Sequence, residues 1–216
     1  VSMGRVTGGE LGTGRFVEER YDFKLIEAVF MDHDTELLNV VQHGGKSEYQ
    51  PCAKALALTK KKALYTWGCG NSRPKALEMA PYGSSGDDEY ISKVNRIFSS
   101  PFAGLISTAD NRLFRLLEDD QPQLIYNGGV ENIIMSVVSS THYIWFSTMQ
   151  GLFVMDSGIN NTRLISTNVI TNLAGYNLEE EENDIFSLDL ADVLVQWDDF
   201  ATEPRIVNSS MVLDGD

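Results

Sequence analysis

The histidines of this sequence, the side chains best suited to acid–base chemistry near neutral pH, are few. Three histidines are present, and only His33 has acidic neighbours, in the run Asp32-His33-Asp34. A carboxylate beside an imidazole can orient the ring as a general base. Neighbouring residues of a strand point to opposite faces, however, and in a turn all three side chains can face water. A solvated cluster is the favoured interpretation, so the sequence assigns no catalytic residue and predicts a protein that is not an enzyme.

The two cysteines, Cys52 and Cys69, also lack a chemical partner in the sequence. Neither has a spacing that suits zinc, and neither has a basic neighbour that would activate its thiol. Two cysteines do not make a disulfide scaffold, so a reduced intracellular setting, cytoplasm or nucleus, is expected. The acidic runs Asp87-Asp88-Glu89 and Glu118-Asp119-Asp120 lack the spacing of a calcium loop and are interpreted as solvated links. No metal ion and no cofactor is predicted.

A glycine-rich segment, Gly9-Glu10-Leu11-Gly12-Thr13-Gly14-Arg15-Phe16, has the spacing of a kinase loop that covers nucleotide phosphates. A kinase also needs a Val-Ala-x-Lys strand, His-Arg-Asp and Asp-Phe-Gly, and none of these occurs in the sequence. The kinase interpretation is therefore rejected. Gly12 and Gly14 are instead expected to permit a positive φ and a close approach of neighbouring segments.

Charge is distributed unevenly along the chain. The net charge is −14, and the part from Asn177 onward holds twelve acidic residues and one arginine. Nucleic-acid binding depends on Lys and Arg that neutralise phosphates, so the composition argues against a DNA or RNA binder and favours a basic protein partner. The candidate partner-binding residues are Glu179, Glu180, Glu181, Glu182, Asp87, Asp88 and Glu89. The alternative is that these runs are solvated loops that aid solubility.

The chain as a whole has the composition of a packed protein. Its 216 residues are 43% hydrophobic and 22% charged, which excludes a collagen-like or wholly disordered chain. No apolar run approaches the ~20 residues of a membrane-spanning helix, and residues 1–5 lack the apolar core of a signal peptide. We expect one domain over residues 1–200, followed by an acidic segment over 201–216 that forms a closing strand or a tail.

Four pairs of strands recur along the chain, and the leucines that begin their second strands are 49, 39 and 42 residues apart. In each pair an apolar strand is followed, across a short link, by a strand that begins with leucine. The pairs are Ala55–Thr59 with Leu64–Trp67, Gly104–Thr108 with Leu113–Leu116, Tyr143–Thr148 with Leu152–Met155, and Asp184–Leu188 with Leu194–Trp197. A further apolar stretch precedes three of them, over Leu37–Val41, Ile91–Phe98 and Ile133–Val138. Each unit is thus predicted to be a small antiparallel sheet of three or more strands.

A small sheet of this kind cannot bury both of its faces alone, so the units are expected to stack side by side. Stacking around an axis produces a β-propeller. The sequence therefore predicts an all-β, propeller-like array of about four to five antiparallel blades. In such an array Trp67 fills the gap between adjacent sheets.

The residues of the first unit resemble a known family. Gly9-Glu10-Leu11-Gly12-Thr13-Gly14-Arg15 is similar to the Gly-Gln-Leu-Gly-x-Gly signature of the regulator of chromosome condensation repeat, with glutamate in place of glutamine. Leu64-Tyr65-Thr66-Trp67-Gly68-Cys69-Gly70-Asn71 and the strand before it resemble the hairpin of that family. The resemblance covers Gly9 to Asn71. It implies a β-propeller and, as for the founding member, guanine-nucleotide exchange on a small GTPase.

The later units depart from the family's pattern. Leu116-Leu117 and Met155-Asp156 stand where Trp-Gly would be, and the family builds a larger ring than this chain can complete. Three interpretations remain: a shortened or divergent propeller, part of a longer propeller, and an unrelated repeat. The predicted function is a non-enzymatic scaffold that binds another protein through its loop faces, and the alternative is an exchange factor for a small GTPase.

Overall fold

The computed structural model has only β-strands as regular elements in the part of the chain that it describes. The structure describes residues 2–6, 12, 18–24, 37–44, 53–77, 94–99, 103–117, 119–129, 131–139, 143–156, 162–178, 182–189, 194–197 and 205–208. Within these ranges no helix has the length and apolar character needed to cross a membrane.

The strands of the described residues pair into a two-stranded ribbon and four four-stranded sheets. The ribbon consists of β1 (Ser2–Val6) and β2 (Glu18–Lys24). Sheet 1 consists of β3 (Leu37–Gly44), β4 (Ala53–Thr59), β5 (Leu64–Gly68) and β6 (Asn71–Ala76). Sheet 2 consists of β7 (Val94–Phe98), β8 (Leu105–Thr108), β9 (Arg112–Leu116) and β10 (Pro122–Asn127). Sheet 3 consists of β11 (Ile134–Ser139), β12 (Tyr143–Thr148), β13 (Gly151–Asp156) and β14 (Thr162–Ser166). Sheet 4 consists of β15 (Ile170–Leu178), β16 (Glu182–Asp189), β17 (Leu194–Trp197) and β18 (Arg205–Asn208).

Each four-stranded sheet is a meander, in which the strands lie side by side in the order in which they occur in the chain. A four-stranded antiparallel meander is the blade unit of a β-propeller. The predicted fold class, an all-β array of propeller-like blades, is confirmed, with four blades in the described residues.

The four predicted hairpins are the two middle strands of the four sheets. Equivalent leucines stand near the start of each third strand and face equivalent residues of the second strand. These pairs are Leu58 with Leu64, Ser107 with Leu113, Ser147 with Leu152, and Leu188 with Leu194. The predicted repeat is therefore a repeat of strand register as well as of composition.

Contacts divide the chain into two compact units, unit 1 over residues 1–124 and unit 2 over residues 125–216. In unit 1 one face of sheet 1 packs against sheet 2. Leu56, Leu58 and Leu64 contribute from sheet 1, and Val94, Ile97, Ile106 and Leu116 contribute from sheet 2. Burial of each such side chain stabilises the fold by about 1.5–3 kcal/mol.

The other face of sheet 1 pairs small residues with large ones. Ala55 lies opposite Trp67 and Ala57 lies opposite Tyr65, and all four are buried in one cluster. An alanine leaves room for the aromatic ring that the neighbouring strand projects to the same face. Trp67 is 3% exposed in this cluster of sheet 1 residues, and its filling of a gap between adjacent sheets stays a prediction.

Unit 2 has a core of its own between sheets 3 and 4. Trp145, Leu152 and Val154 of sheet 3 pack with Ile170 of sheet 4. The Leu173 backbone N–H of β15 donates to the Ser136 hydroxyl of β11 at 3.1 Å, so a polar contact also joins the two sheets.

Three further predictions concern Gly12, Gly14 and residues 201–216. Gly12 is buried and has a φ of 69°, as its predicted role requires. Gly14 lies outside the described residues. Within residues 201–216, the described part is β18, which pairs with β17 as the fourth strand of sheet 4.

Candidate interaction surface

The same threonine position ends the second strand of three successive sheets. Thr59, Thr108 and Thr148 are the last residues of β4, β8 and β12, and each is at most 2% exposed. Each hydroxyl accepts a hydrogen bond from a backbone N–H of the turn that follows. The donors are Ala63 at 3.0 Å, Arg112 at 3.1 Å and Gln150 at 3.0 Å. A buried hydroxyl therefore holds each of these turns in one conformation.

The turns after Thr59 and Thr108 have the same backbone. The Lys62 N–H donates to the Thr59 carbonyl at 2.9 Å, and the Asn111 N–H donates to the Thr108 carbonyl at 3.1 Å. Lys62 and Asn111, the third residue of each turn, have φ values of 69° and 61°. A three-residue hairpin link that ends in a left-handed residue has this geometry.

The Thr108 turn carries a carboxylate whose pKa is shifted. Thr108 donates its hydroxyl to Asp110, and Arg112 Nη2 lies 2.6 Å from Asp110 Oδ2. Partial burial acts to raise the pKa of Asp110. The hydrogen bonds from Thr108 and Arg112, with the attraction of the guanidinium, outweigh it, so this pKa lies below its ordinary value of 3.8. The Arg112 guanidinium carbon also lies 5.6 Å from the centre of the Phe114 ring.

The Thr59 turn carries three consecutive exposed lysines, Lys60, Lys61 and Lys62. Lys62 Nζ donates to the Asn95 carbonyl of β7 at 3.2 Å, and Val94, the residue before it, pairs with Thr108. These contacts place the turns after Thr59 and Thr108 on the same side of unit 1. We call this side, formed by residues 60–62, Asn95 and residues 109–110, the turn surface.

At the opposite end of β4 a buried ion pair ties sheet 1 to the segment after β9. Lys54 Nζ lies 2.7 Å from Asp120 Oδ1, and the two side chains are 5% and 17% exposed. The prediction that Asp120 is part of a solvated link is therefore wrong. Burying a charge without a partner destabilises a fold. The Asp120 carboxylate therefore stabilises the ammonium of Lys54, which sheet 1 buries.

The described residues contain few of the predicted partner-binding positions. Asp87, Asp88, Glu89, Glu179, Glu180 and Glu181 lie outside them, as do His33 and His142. Glu182 is the first residue of β16, where its backbone pairs with Leu178. In the described part of the chain, no group of three or more His, Cys, Asp or Glu side chains could hold a metal ion.

Cys69 corrects one prediction. It is disulfide-bonded, whereas the two cysteines were expected to remain reduced. The expected cytoplasmic or nuclear setting therefore loses the observation on which it depended.

The turn threonines are the residues that the sequence analysis did not single out. A signal was present, since in three of the four predicted pairs the first strand ends in threonine. Their role became visible only from the hydrogen bonds, because a threonine in a strand is ordinarily read as a β-branched strand former.

Comparisons with known proteins support the fold only. No family model matches the sequence, and no curated protein is detectably similar to it. Among solved structures, the computationally designed Ika4 protein is similar at 10% identity with a TM-score of 0.51, over 82% of this chain and 99% of that one.

Two natural proteins are similar over part of their length. The WD40 domain of SCAP from fission yeast matches at 13% identity with a TM-score of 0.48, over 79% of this chain and 44% of that one. Dihydro-heme d1 dehydrogenase NirN in complex with DHE matches at 13% identity with a TM-score of 0.47, over 80% of this chain and 38% of that one. The chain thus spans less than half the length of these two proteins.

Proposed function

We propose that this protein is a non-enzymatic scaffold for protein–protein interaction that presents the short turns of its blades to a partner. The observation that carries the proposal is the repeated threonine position. The buried hydroxyls of Thr59, Thr108 and Thr148 each hold the backbone of the turn that follows, while the turn side chains vary from lysine to aspartate to glutamine. A rigid frame with variable exposed side chains suits recognition, since little conformational entropy is lost when a partner binds.

The partner that we propose has a basic surface. The segment from Asn177 onward carries a net charge of −11, from twelve acidic residues and one arginine, in a chain of net charge −14. The proposed contacts are Glu179–Glu182 and Asp87–Glu89. A field of this sign steers a basic protein toward the chain and repels nucleic acid.

Charge reversal tests the basic-partner proposal. Replacing Glu179, Glu180, Glu181 and Glu182 by Lys should weaken capture of the native partner and flatten the salt dependence of its association rate, because steering scales with the field. The matched control replaces Lys60 and Lys61 by Glu. Both lysines are exposed in a turn that backbone hydrogen bonds hold. For a basic partner the control should leave association as fast or make it faster. Unchanged capture and rate in the Glu→Lys variant would contradict the proposal.

The second candidate function is guanine-nucleotide exchange on a small GTPase. The resemblance to the regulator of chromosome condensation repeat over Gly9 to Asn71 favours it. Two features of sheet 1 support that resemblance: Trp67 is buried, and the Gly68 that follows it has a φ of 92°, which favours glycine. The family assignment itself is part of this proposal.

An exchange assay separates the two functions. Small GTPases loaded with a fluorescent guanine nucleotide are mixed with the protein, and nucleotide release is followed over time. A scaffold leaves the release rate at its spontaneous value, whereas an exchange factor accelerates it in proportion to its concentration. Faster nucleotide release from any of the GTPases tested would favour the exchange function over the scaffold function.

A further inference from the structure

The disulfide at Cys69 lies at a defined place in sheet 1. Gly68 pairs with Asn71, so Cys69 and Gly70 are the two central residues of the turn between β5 and β6. Their φ values of 50° and 94° are those of a type I′ turn. Gly, Asn and Asp are the residues usually found at the first central position of such a turn, so a cysteine there is uncommon. This cysteine is disulfide-bonded.

We infer that Cys69 is bonded to Cys52 of the same chain and that the protein matures in an oxidising compartment. The sequence contains two cysteines, so within one molecule Cys52 is the available partner. The bond would join the beginning of β4 to the turn after β5. It would thereby close the first hairpin at the end opposite to the Thr59 turn.

The strand register places Cys69 at the end of the β4–β5 ladder. Lys54 pairs with Gly68 and Ala55 pairs with Trp67, and Cys69 directly follows Gly68. Cys52 is two residues before Lys54 in the sequence. Disulfides usually join Cα atoms 4.4–6.8 Å apart, so the inferred bond requires position 52 to lie beside this turn.

Formation of the bond requires an oxidant that a reducing compartment does not supply. Two thiols lose two protons and two electrons as one S–S bond forms, and a protein or low-molecular-weight disulfide accepts the electrons and becomes a pair of thiols. Structural disulfides are rare in cytosol and nucleus and common in secreted, cell-surface, endoplasmic-reticulum and periplasmic proteins. The bonded Cys69 thus favours an oxidising compartment over the cytoplasm or nucleus that the sequence alone predicted.

Thiol trapping tests both parts of the inference. Cells of the natural source are lysed directly into denaturant with an alkylating maleimide, and the intact mass of the chain is measured before and after reduction. We expect no added maleimide without reduction and two after it, and a Cys52 peptide linked to a Cys69 peptide in a non-reducing digest. Two added maleimides without reduction would overturn the inference, and so would a bond to a second copy or to another protein.

Single substitutions provide the matched controls. Cys52→Ser and Cys69→Ser should each leave one thiol that the maleimide labels without reduction, and this readout does not require a folded chain. The melting temperature of the oxidised wild type should exceed that of the reduced wild type by about 5–10 °C, because the bond restricts the unfolded chain. Equal melting temperatures would contradict a structural role for the bond.

Discussion

The buried hydroxyl of Thr108 offers a direct test of how the turns are held. Thr108→Val keeps the shape of the side chain and removes the oxygen that accepts from the Arg112 N–H at 3.1 Å and donates to Asp110. The Arg112 N–H would then be buried without an acceptor. Leaving one buried polar group unsatisfied costs about 1–3 kcal/mol. We expect the free energy of unfolding to fall by about 2 kcal/mol, and the melting temperature to fall by about 4–8 °C for a chain of this size.

The neighbouring Ser107 supplies a matched control for Thr108→Val. Its hydroxyl is also buried, with the residue 2% exposed, but it has no hydrogen-bond partner among the described residues. Ser107→Ala should therefore leave the free energy of unfolding unchanged or raise it. Chemical denaturation of both variants at pH 7 measures the difference. Equal effects of the two substitutions, or a Thr108→Val effect below ~0.5 kcal/mol, would refute the assignment of the hydroxyl to the turn.

The stability lost in Thr108→Val should also depend on pH. The pKa of Asp110 is lower in the folded protein than its ordinary value of 3.8, so its ionisation stabilises the fold above that value. This contribution is lost as the pH falls through the folded pKa. Thr108→Val removes one of the bonds that lower the pKa, so the stability difference between wild type and variant should narrow in acid. A difference that widens as the pH falls from 7 to 3 would contradict the proposed bond to Asp110.

Two further pairs of substitutions probe backbone geometry and buried charge. Gly151 has a φ of 134°, and a Cβ there would lie 2.0 Å from the Ser166 carbonyl oxygen, so Gly151→Ala should cost about 3 kcal/mol or more in unfolding experiments. Gly70→Ala, with a φ of 94° and no atom within 4 Å of the added carbon, should cost only about 1–2 kcal/mol, and equal costs would argue against the clash. Lys54→Met leaves the Asp120 carboxylate without the ammonium 2.7 Å away and should cost about 3 kcal/mol by denaturant titration. Asp120→Asn leaves the more deeply buried Lys54 ammonium without this carboxylate and should cost at least as much, and a clearly smaller cost would contradict an essential ion pair.

The inner strands could be predicted from sequence, while the outer ones could not. Strands β4, β8 and β12 are buried stretches rich in apolar residues that lead into polar turns, and such local patterns are visible in a single chain. The outer strand β6, Asn71–Ala76, alternates exposed and half-buried residues and contains Pro74. A proline disfavours a strand assignment except at an edge, and the edge position is known only once the sheet exists.

The candidate surface shows the same division. The lysine run and the acidic runs are visible as composition, but composition does not place them beside any other segment. The turn surface depends on a bond between Lys62 and the Asn95 carbonyl, residues that are 33 positions apart. The ion pair of Lys54 with Asp120 spans 66 positions. Contacts over such separations depend on how sheets pack, which local patterns do not encode.

The sequence by itself determined that the chain is an array of small antiparallel sheets, because alternating apolar residues and turn residues act over a few neighbouring positions. It also determined the excess of negative charge and the positions of the repeated hairpins. Only the tertiary structure decided which polar groups are structural, since a hydroxyl or carboxylate acquires that role from a partner brought close by folding. The buried lysine with its carboxylate and the bonded cysteine are of this kind: local sequence names the residue, and packing supplies its partner. The turn threonines find their N–H donors within four residues, and packing supplies their burial.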